Sequence, residues 1–381
     1  MTVRVLYLTM NPNRASTTVP TECWLRLLPA RGLEPVLVSS HVGELHAWTQ
    51  AQGIPAYQVP LHSPNKWWPW RFWRSLWRLR GIVRQHRIEL IHCNEHDVYP
   101  IAQYLGRLCD IPVAVSIHFT VSREFCEWAF RGARCPQRIF FLSQGSIEAC
   151  RPSVAGIIPE ARWRLLYNGL DLSEVRPDAM IGRAFRQQHG LNGDLLIGNA
   201  CLFQPRKQLE HLFDAAARLS DRSVKVVVAG RPRPGDEAYA SELIEAGRRK
   251  LGRRLIHVGH LSNLRGLCNA LDLFVNTSKE EICSISVLEA LACGCPVVGY
   301  PSKSVDEQIL PAGGEIVRQD NSDELTTVLA AWVHDRQRLS EARIGARRRA
   351  EEAFDIRKLA DQLWNEYEGL IAEGRSEASN G

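Results

Sequence analysis

Short apolar, β-branched runs alternate with longer helical patterns through the first half of the chain. Val3–Thr9, Pro35–Ser39, Ile88–Cys93, Val113–Ile117, Arg138–Leu142 and Leu165–Tyr167 read as strands. Between them, Thr21–Ala30, Trp70–His86, Pro100–Cys109 and Ser122–Phe130 read as helices. After Asn168-Gly169 the alternation begins again. It predicts strands at Leu195–Ala200, Val224–Ala229, Leu255–Val258, Leu273–Asn276, Pro296–Gly299 and Glu315–Val317, and helices at Gln208–Leu219, Ala238–Leu251, Ser286–Ala292 and Asp323–His334. Runs that are apolar on both faces belong to strands covered on both sides, which means parallel sheets of βαβ units. Two such sets predict an α/β chain of two doubly wound domains with a cleft between them. The expected boundaries are residues 1–167 and 168–354, with a helix at 355–373 packing back on the first domain and a disordered tail at 374–381.

A length of 381 residues suits two domains, and 45% apolar with 23% charged residues is globular composition that excludes disorder over most of the chain. No stretch approaches the ~18 unbroken apolar residues of a membrane-spanning helix. Met1 to Met10 alternates like a strand rather than a signal peptide, so the expected location is the cytoplasm. The eleven cysteines contain no C-x-x-C pair and several lie in apolar runs, which reads as small core residues rather than zinc ligands or disulfides.

The net charge of +5 conceals an asymmetry. Residues 1–167 hold 19 basic against 11 acidic side chains, whereas the remainder holds 28 against 31. One segment generates much of the difference: Lys66 to Arg87 carries seven positive charges, no acidic residue and five of the eleven tryptophans. Pro69 is placed to open a helix. On a helical wheel Phe72, Leu76, Leu79 and Val83 share a face that should pack on the sheet, while Trp70, Trp73 and Trp77 form an adjoining stripe flanked by Arg74, Arg80 and Arg84. A tryptophan stripe rimmed by cations suits an anionic membrane surface. The plainer alternative is that the tryptophans cover core and the arginines are solvated. No groove-reading or base-stacking module accompanies them, so nucleic acid is not an expected partner.

The segment richest in chemistry runs from Thr277 to Val298. A buried strand ends at Asn276, a loop carries Glu280 and Glu281, and a helix begins near Ser284–Ser286, where unpaired N–H groups can meet ligand oxygens. Glu281 and Glu289 are separated by seven residues, which puts one carboxylate in the loop and the other about a turn into the helix. This pattern, followed by Ala290 and Gly294-Cys-Pro-Val-Val, resembles the E-x7-E signature of retaining glycosyltransferases of family 4, which have the two-domain GT-B fold. The resemblance extends along the chain: Tyr167-Asn-Gly-Leu-Asp171 looks like the interdomain N-G-[VI]-D, Gly230-Arg-Pro-Arg-Pro is similar to the G-x-G-P turn, and Val258-Gly259 falls in register.

The resemblance implies roles. Glu289 would hydrogen-bond the ribose of a nucleotide sugar, and Glu281 would face the transferred sugar and its developing charge. Backbone amides near Cys283, Ser284 and Ile285 would hold sugar hydroxyls or the diphosphate, and Gly259 would border the donor. Where the family prefers Gly-Phe-Gly, this chain has Ile282-Cys-Ser284, which narrows the sugar pocket. Arg206 and Lys207 match the family's [RK]-K, whose lysine stabilises the leaving diphosphate. The family's arginine six residues earlier is Cys201 here. Arg206 or another cation then replaces it, or leaving-group activation is weaker. On the first domain, Asp110-Ile-Pro112 and the strand ending at His118 resemble the family's strand-end histidine, which faces the donor sugar. Ser16 and Thr17 stand where many members have paired glycines and are candidate acceptor contacts, as are Asn94, Glu95, His96 and Asp97 after another strand. No Asp-x-Asp occurs, which suits metal-independent chemistry with no cofactor.

The expected function is therefore retaining transfer of a sugar from a UDP- or GDP-sugar to a lipid-linked or envelope-glycan acceptor at the cytoplasmic membrane face. The alternatives are a nucleotide-sugar 2-epimerase of the same architecture and a catalytically silent scaffold that docks at membranes.

Overall fold

Strands buried on both faces require helices on either side, and the computed structural model, which describes residues 2–13 and 17–380, has that arrangement twice. The chain divides into two compact units, Met1–Asn168 with Ile356–Gly381, and Gly169–Asp355. The first unit contains β1 (Val3–Thr9), β2 (Leu33–Ser39), β3 (Ala56–Gln58), β4 (Leu90–Cys93), β5 (Val113–Ile117), β6 (Arg138–Phe141) and β7 (Trp163–Leu165). They lie in the order β3-β2-β1-β4-β5-β6-β7 and every pair is parallel. The second unit contains β8 (Leu195–Phe203), β9 (Val224–Pro232), β10 (Leu255–His257), β11 (Leu273–Asn276), β12 (Val297–Gly299) and β13 (Gly314–Ile316). Their order, β10-β9-β8-β11-β12-β13, repeats the same permutation, again all parallel. Each sheet grows in opposite directions from one central pair, β1/β4 in the first and β8/β11 in the second.

The pleat sorts the first unit's core into two layers. Val3, Val5 and Tyr7 of β1 pack with Leu363 and Tyr367 of the helix Ile356–Asn380, whereas Leu6 and Leu8 pack in the cluster of Phe72, Leu76 and Leu79 from the helix Pro69–Gln85. That last helix continues to Asn380, where the sequence reading placed a disordered tail from 374. No proline interrupts the segment, so the backbone propagates. The core also holds a polar chain. Tyr367 donates to the Tyr7 hydroxyl at 3.0 Å and lies 2.6 Å from His92 Nδ1, while His92 Nε2 is 2.9 Å from Ser116 Oγ and its ring is stacked between Tyr7 and Phe140.

In the second unit β8 and β9 outrun the predicted strands by three residues each, pairing Cys201 with Gly230, Leu202 with Arg231 and Phe203 with Pro232. The stretch read as a turn is thus ladder. Glycine permits it, because a Cβ at position 230 would stand 2.0 Å from the Cys201 carbonyl. Close approach also explains Gly182, in the helix Ala179–Gln188: a Cβ there would meet the Asn269 carbonyl at 2.5 Å, at the end of the helix Arg265–Ala270.

Replacing Tyr367 by Phe leaves the His92 and Tyr7 groups without their shared partner at no change in shape. Loss of a buried hydrogen-bond partner should lower stability by about 1–3 kcal/mol. Urea unfolding followed by a probe in the first unit would read this as a lower midpoint with an unchanged slope.

Candidate active site

In doubly wound sheets ligands bind beyond the carboxyl ends of the strands where the strand order reverses. In the second unit that point lies between β8 and β11. The chain leaves β8 through a 3-10 turn, Pro205–Lys207, and leaves β11 through the loop from Thr277 to Ser284. Two bonds join these loops: Thr277 Oγ1 donates to the Lys207 carbonyl at 2.9 Å, and the Lys279 N–H to the Arg206 carbonyl at 2.9 Å. The Lys207 ammonium then donates to Glu281 Oε1 in a close ion pair, with the Arg206 guanidinium 3.8 Å from Oε2. Glu281 is buried, so pairing with a cation is what permits its charge there. Its carbonyl is held from the other side by the Ser302 and Ser304 hydroxyls at 3.4 and 3.3 Å. Arg206 itself is half-exposed and donates to the Glu280 carbonyl at 2.9 Å.

Cys201 lies within the field of this cluster. Burial pushes its thiol up to about 12, with Lys207 pulling down, Glu281 pushing up and Arg206 pulling down. It is therefore a neutral neighbour that supplies no positive charge.

The helix Ile285–Ala292 follows, with Ser284 at its N-cap and Glu289 half-buried as its fifth residue. Ser284 is one of the residues whose backbone amides the resemblance assigns to the donor, and it has a protein partner. Its N–H donates to Gln308 Oε1 at 3.3 Å, and Gln308 Nε2 returns a bond to the Ser284 carbonyl at 3.2 Å and lies 3.5 Å from Cys283 Sγ. A buried amide needs a partner, and here a buried glutamine supplies it. Gly259 has φ +76° and accepts from the Gly230 N–H at 2.8 Å, which fixes the turn after β10.

The first unit repeats this architecture at β1/β4. Glu95, just past β4, is buried and accepts from Thr9 Oγ1 (2.8 Å), Asn94 Nδ2 (2.7 Å) and the Met10 N–H (3.2 Å). Burial raises its carboxyl to about 7 against the pull of those donors. Asn94 is the hub, accepting from Thr21 Oγ1 and donating to the Thr17 carbonyl at 3.1 Å. Thr17 is buried and its hydroxyl accepts from Asn11 Nδ2 at 3.4 Å, so it holds the loop together; Ser16 lies outside the described residues. His118, at the end of β5, is buried with Nε2 free of any hydrogen bond. Burial lowers it to about 4, opposed by a hydrogen bond with the Asn94 backbone and reinforced by His96 nearby. His96 packs edge-on against Phe125 at 5.1 Å, its Nδ1 also buried without a partner. The structure thus brings His118, His96, Glu95 and Thr17 together around Asn94, and Glu281, Lys207, Arg206 and Cys201 around one ion pair. Thr9 and Gln308 were not singled out; the signal for Thr9 was its place at the end of β1.

On the helix Pro69–Gln85, Phe72, Leu76, Leu79 and Val83 are buried while Trp70, Trp73 and Trp77 are 50–57% exposed. Arg80 stacks over Trp77 and Arg71 over Trp68 at 4.9 and 5.0 Å. Among the described residues no helix is long and apolar enough to cross a membrane.

Two family models match the chain: Glycosyltransferase Family 4 over residues 24–174 and Glycosyl transferases group 1 over residues 183–350. The chain belongs to the family 4-type glycosyltransferases of GT-B fold. It is 32% identical to the lipopolysaccharide core biosynthesis mannosyltransferase LpsB of Rhizobium meliloti, over 38% of this chain and 42% of LpsB. To the MMP alpha-(1->4)-mannosyltransferase of Mycolicibacterium hassiacum it is 28% identical, over 52% of this chain and 48% of that protein. The chain spans less than half the length of these two relatives. Anabaena Alr3699/HepE, solved in complex with UDP and glucose, superposes with a TM-score of 0.83 at 19% identity, covering 96% of this chain and 100% of that one. WaaG, a glycosyltransferase involved in lipopolysaccharide biosynthesis, gives 0.70 at 16% identity over 94% and 98% of the two chains. These superpositions establish the fold of this glycosyltransferase family member.

The buried histidine makes stability depend on pH. Its value falls from 6.5 to about 4 on folding, so the unfolded chain takes up the proton first as pH falls. Stability attributable to His118 is therefore present above about 6.5 and lost as pH drops toward 4, by on the order of 3 kcal/mol. His118→Asn should flatten the acid side of a plot of Tm against pH. An unchanged acid limb would contradict the assignment. Glu95 acts with the opposite sign, its folded value of about 7 lying above 4.5, so its contribution is lost as pH rises through 7.

Proposed function

We propose that this protein is a retaining glycosyltransferase that takes a sugar from a nucleotide diphosphate sugar held by its second unit and passes it to an acceptor bound by the first. The observation that carries the reading is the buried Glu281–Lys207 pair, at the strand-order reversal, with Glu289 on the following helix of the same βα unit. When a donor diphosphate enters, Lys207 exchanges part of its interaction with Glu281 for the phosphate oxygens and stabilises charge developing on the leaving group. Glu281 is left facing the positive charge that grows at the anomeric carbon. Glu289 holds the ribose, and Arg206, half-exposed beside the pair, supplies the cation that Cys201 does not. His118 contacts the transferred sugar as a neutral imidazole, its burial keeping it unprotonated at pH 7.

The relatives support a hexosyl donor. LpsB and the Mycolicibacterium hassiacum protein are named mannosyltransferases, and HepE was solved with UDP and glucose, so GDP-mannose and UDP-glucose are the first donors to test. Thermal shift with UDP and GDP, followed by turnover with each matched sugar nucleotide, identifies the donor. Glu281→Gln and Lys207→Ala should each lower transfer by about 10²–10³-fold while the product retains the donor's anomeric configuration in the wild type. Donor binding without turnover in the wild type would instead favour the silent scaffold.

The acceptor we propose is a lipid-linked or envelope glycan at an anionic membrane surface, reached through the stripe of Trp70, Trp73 and Trp77 beside Arg74. Exposed tryptophans suit the headgroup region, and each cation near it adds on the order of 1 kcal/mol. The triple variant Trp73→Ser, Trp77→Ser, Arg74→Gln should no longer float with vesicles containing phosphatidylglycerol. Undiminished flotation would exclude this surface.

A further inference from the structure

At the opposite edge of the first sheet, where β4, β5 and β6 begin, lies a cavity of about 870 Å³. This is the amino edge, remote in the sheet from Glu95 and His118 at the strands' carboxyl ends. Arg80, Arg84, Arg107 and Arg162 line it, and so do Gln103 and Asp110. Arg138 and Glu373 also border it but bond to one another at 2.5 and 3.1 Å, and Glu89 is taken by Arg4 at 3.2 Å. The guanidinium groups of Arg84 and Arg107 have no hydrogen-bond or ion-pair partner among the described residues, and the buried Nε of Arg80 has none either. Cys109 lines the same cavity, and the charges of Arg80 and Arg84 pull its thiol down against the burial that pushes it up. Gln103 is buried, yet its side-chain oxygen is unpartnered.

A cavity that gathers several guanidinium groups with spare donors is built for a multiply accepting anion, and a phosphate ester is the common one of that geometry. The unpartnered amide oxygen adds an acceptor for a hydroxyl on the same ligand. The cavity adjoins the tryptophan stripe through one residue, since Arg80 lines the cavity and stacks over Trp77.

We infer that this cavity receives the hydroxyl-bearing phosphate headgroup of an anionic phospholipid, with Arg80, Arg84 and Arg107 on the phosphate and Gln103 on a headgroup hydroxyl. The inference rests on the membrane-facing reading of the tryptophan helix and adds to it a specific headgroup site. Its consequence is selectivity: vesicles of phosphatidylglycerol are bound more tightly than the surface charge of the bilayer alone would give.

The test uses the full chain and two charge-matched variants. Arg84→Glu with Arg107→Glu alters the cavity, while Arg78→Glu with Arg87→Glu changes the same charge on exposed positions of the same basic segment that neither line it nor belong to the tryptophan stripe. The cavity variant should lose the rise in Tm given to the wild type by glycerol phosphate, and should bind phosphatidylglycerol vesicles at least about tenfold more weakly than the matched variant, the equivalent of one charge-assisted phosphate contact. Arg84→Gln with Arg107→Gln, which adds no acidic group, should show the same loss. Equal weakening in the two charge-reversed variants would overturn the site in favour of diffuse attraction. Survival of the glycerol phosphate effect in the cavity variant would place that anion elsewhere and overturn it as well. A cavity-dependent phosphate effect with no vesicle binding by the wild type would overturn the lipid as its source. Failure of the membrane reading itself is distinguishable, because it appears as unchanged flotation of the tryptophan variant.

Discussion

A strand that must lie parallel to its predecessor cannot follow it through a tight turn; it needs a crossover, and the crossovers are right-handed. When a sheet grows outward in both directions from a central pair, the crossovers leave that pair toward opposite faces. A notch opens between them at the carboxyl edge. This constraint operates twice here, at β1/β4 and at β8/β11, and each notch is filled by a buried glutamate. Glu95 sits in the first and Glu281 in the second. The two answer the same desolvation differently. Glu95 is surrounded by neutral donors from Thr9, Asn94 and Met10, and its carboxyl is pushed up toward neutrality. Glu281 has a lysine and an arginine beside it instead. One notch is polar and near-neutral, the other ionic, and that difference in chemistry supports assigning them different substrates.

The ionic notch is also self-contained. Lys207 and Glu281 come from loops that are tied to one another by hydrogen bonds to the Arg206 and Lys207 carbonyls, so the cation is positioned before any substrate arrives. A site that satisfies its own charges in the resting state avoids an unpaired buried ion, and exchanges one partner for another when an anion enters. The second unit's hydroxyl and amide contacts from Ser302, Ser304 and Gln308 serve the same end by fixing the Glu281 and Ser284 backbone.

Much of this was legible in the sequence because buried parallel strands are continuous apolar runs. Val3–Thr9, Val113–Ile117 and Leu273–Asn276 coincide with β1, β5 and β11 to the residue. The elements that escaped have weak periodicity for identifiable reasons. Ala56–Gln58 is a three-residue edge strand that is only partly buried. In the helix Arg336–Ala353 only Leu339, Ala346 and Ala350 are buried, two of them too small to stand out among its arginines. The helix Gln144–Val154 contains Pro152, and is secured by a reciprocal cap between Ser143 and Ser146 that resembles an ordinary serine-rich turn in sequence. At the site, the charged residues were found because their types and spacing are distinctive. Gln308 was not, since an amide's value lies in which buried backbone group it meets, and that is decided by long-range packing.

The helix Ile356–Asn380 gives this chain an unusual order of assembly. It covers one face of the first sheet, and its Tyr367 bonds with residues 7 and 92, yet it is synthesised only after the whole second unit. The second unit, being continuous from Gly169 to Asp355, has its whole sequence available while the first is still missing a wall. During translation, the first sheet must therefore wait with Val3, Val5 and Tyr7 uncovered until the second unit has been made. The first unit starts before the second and is completed after it, and loss of Leu363 and Tyr367 would be felt as misfolding of the first unit.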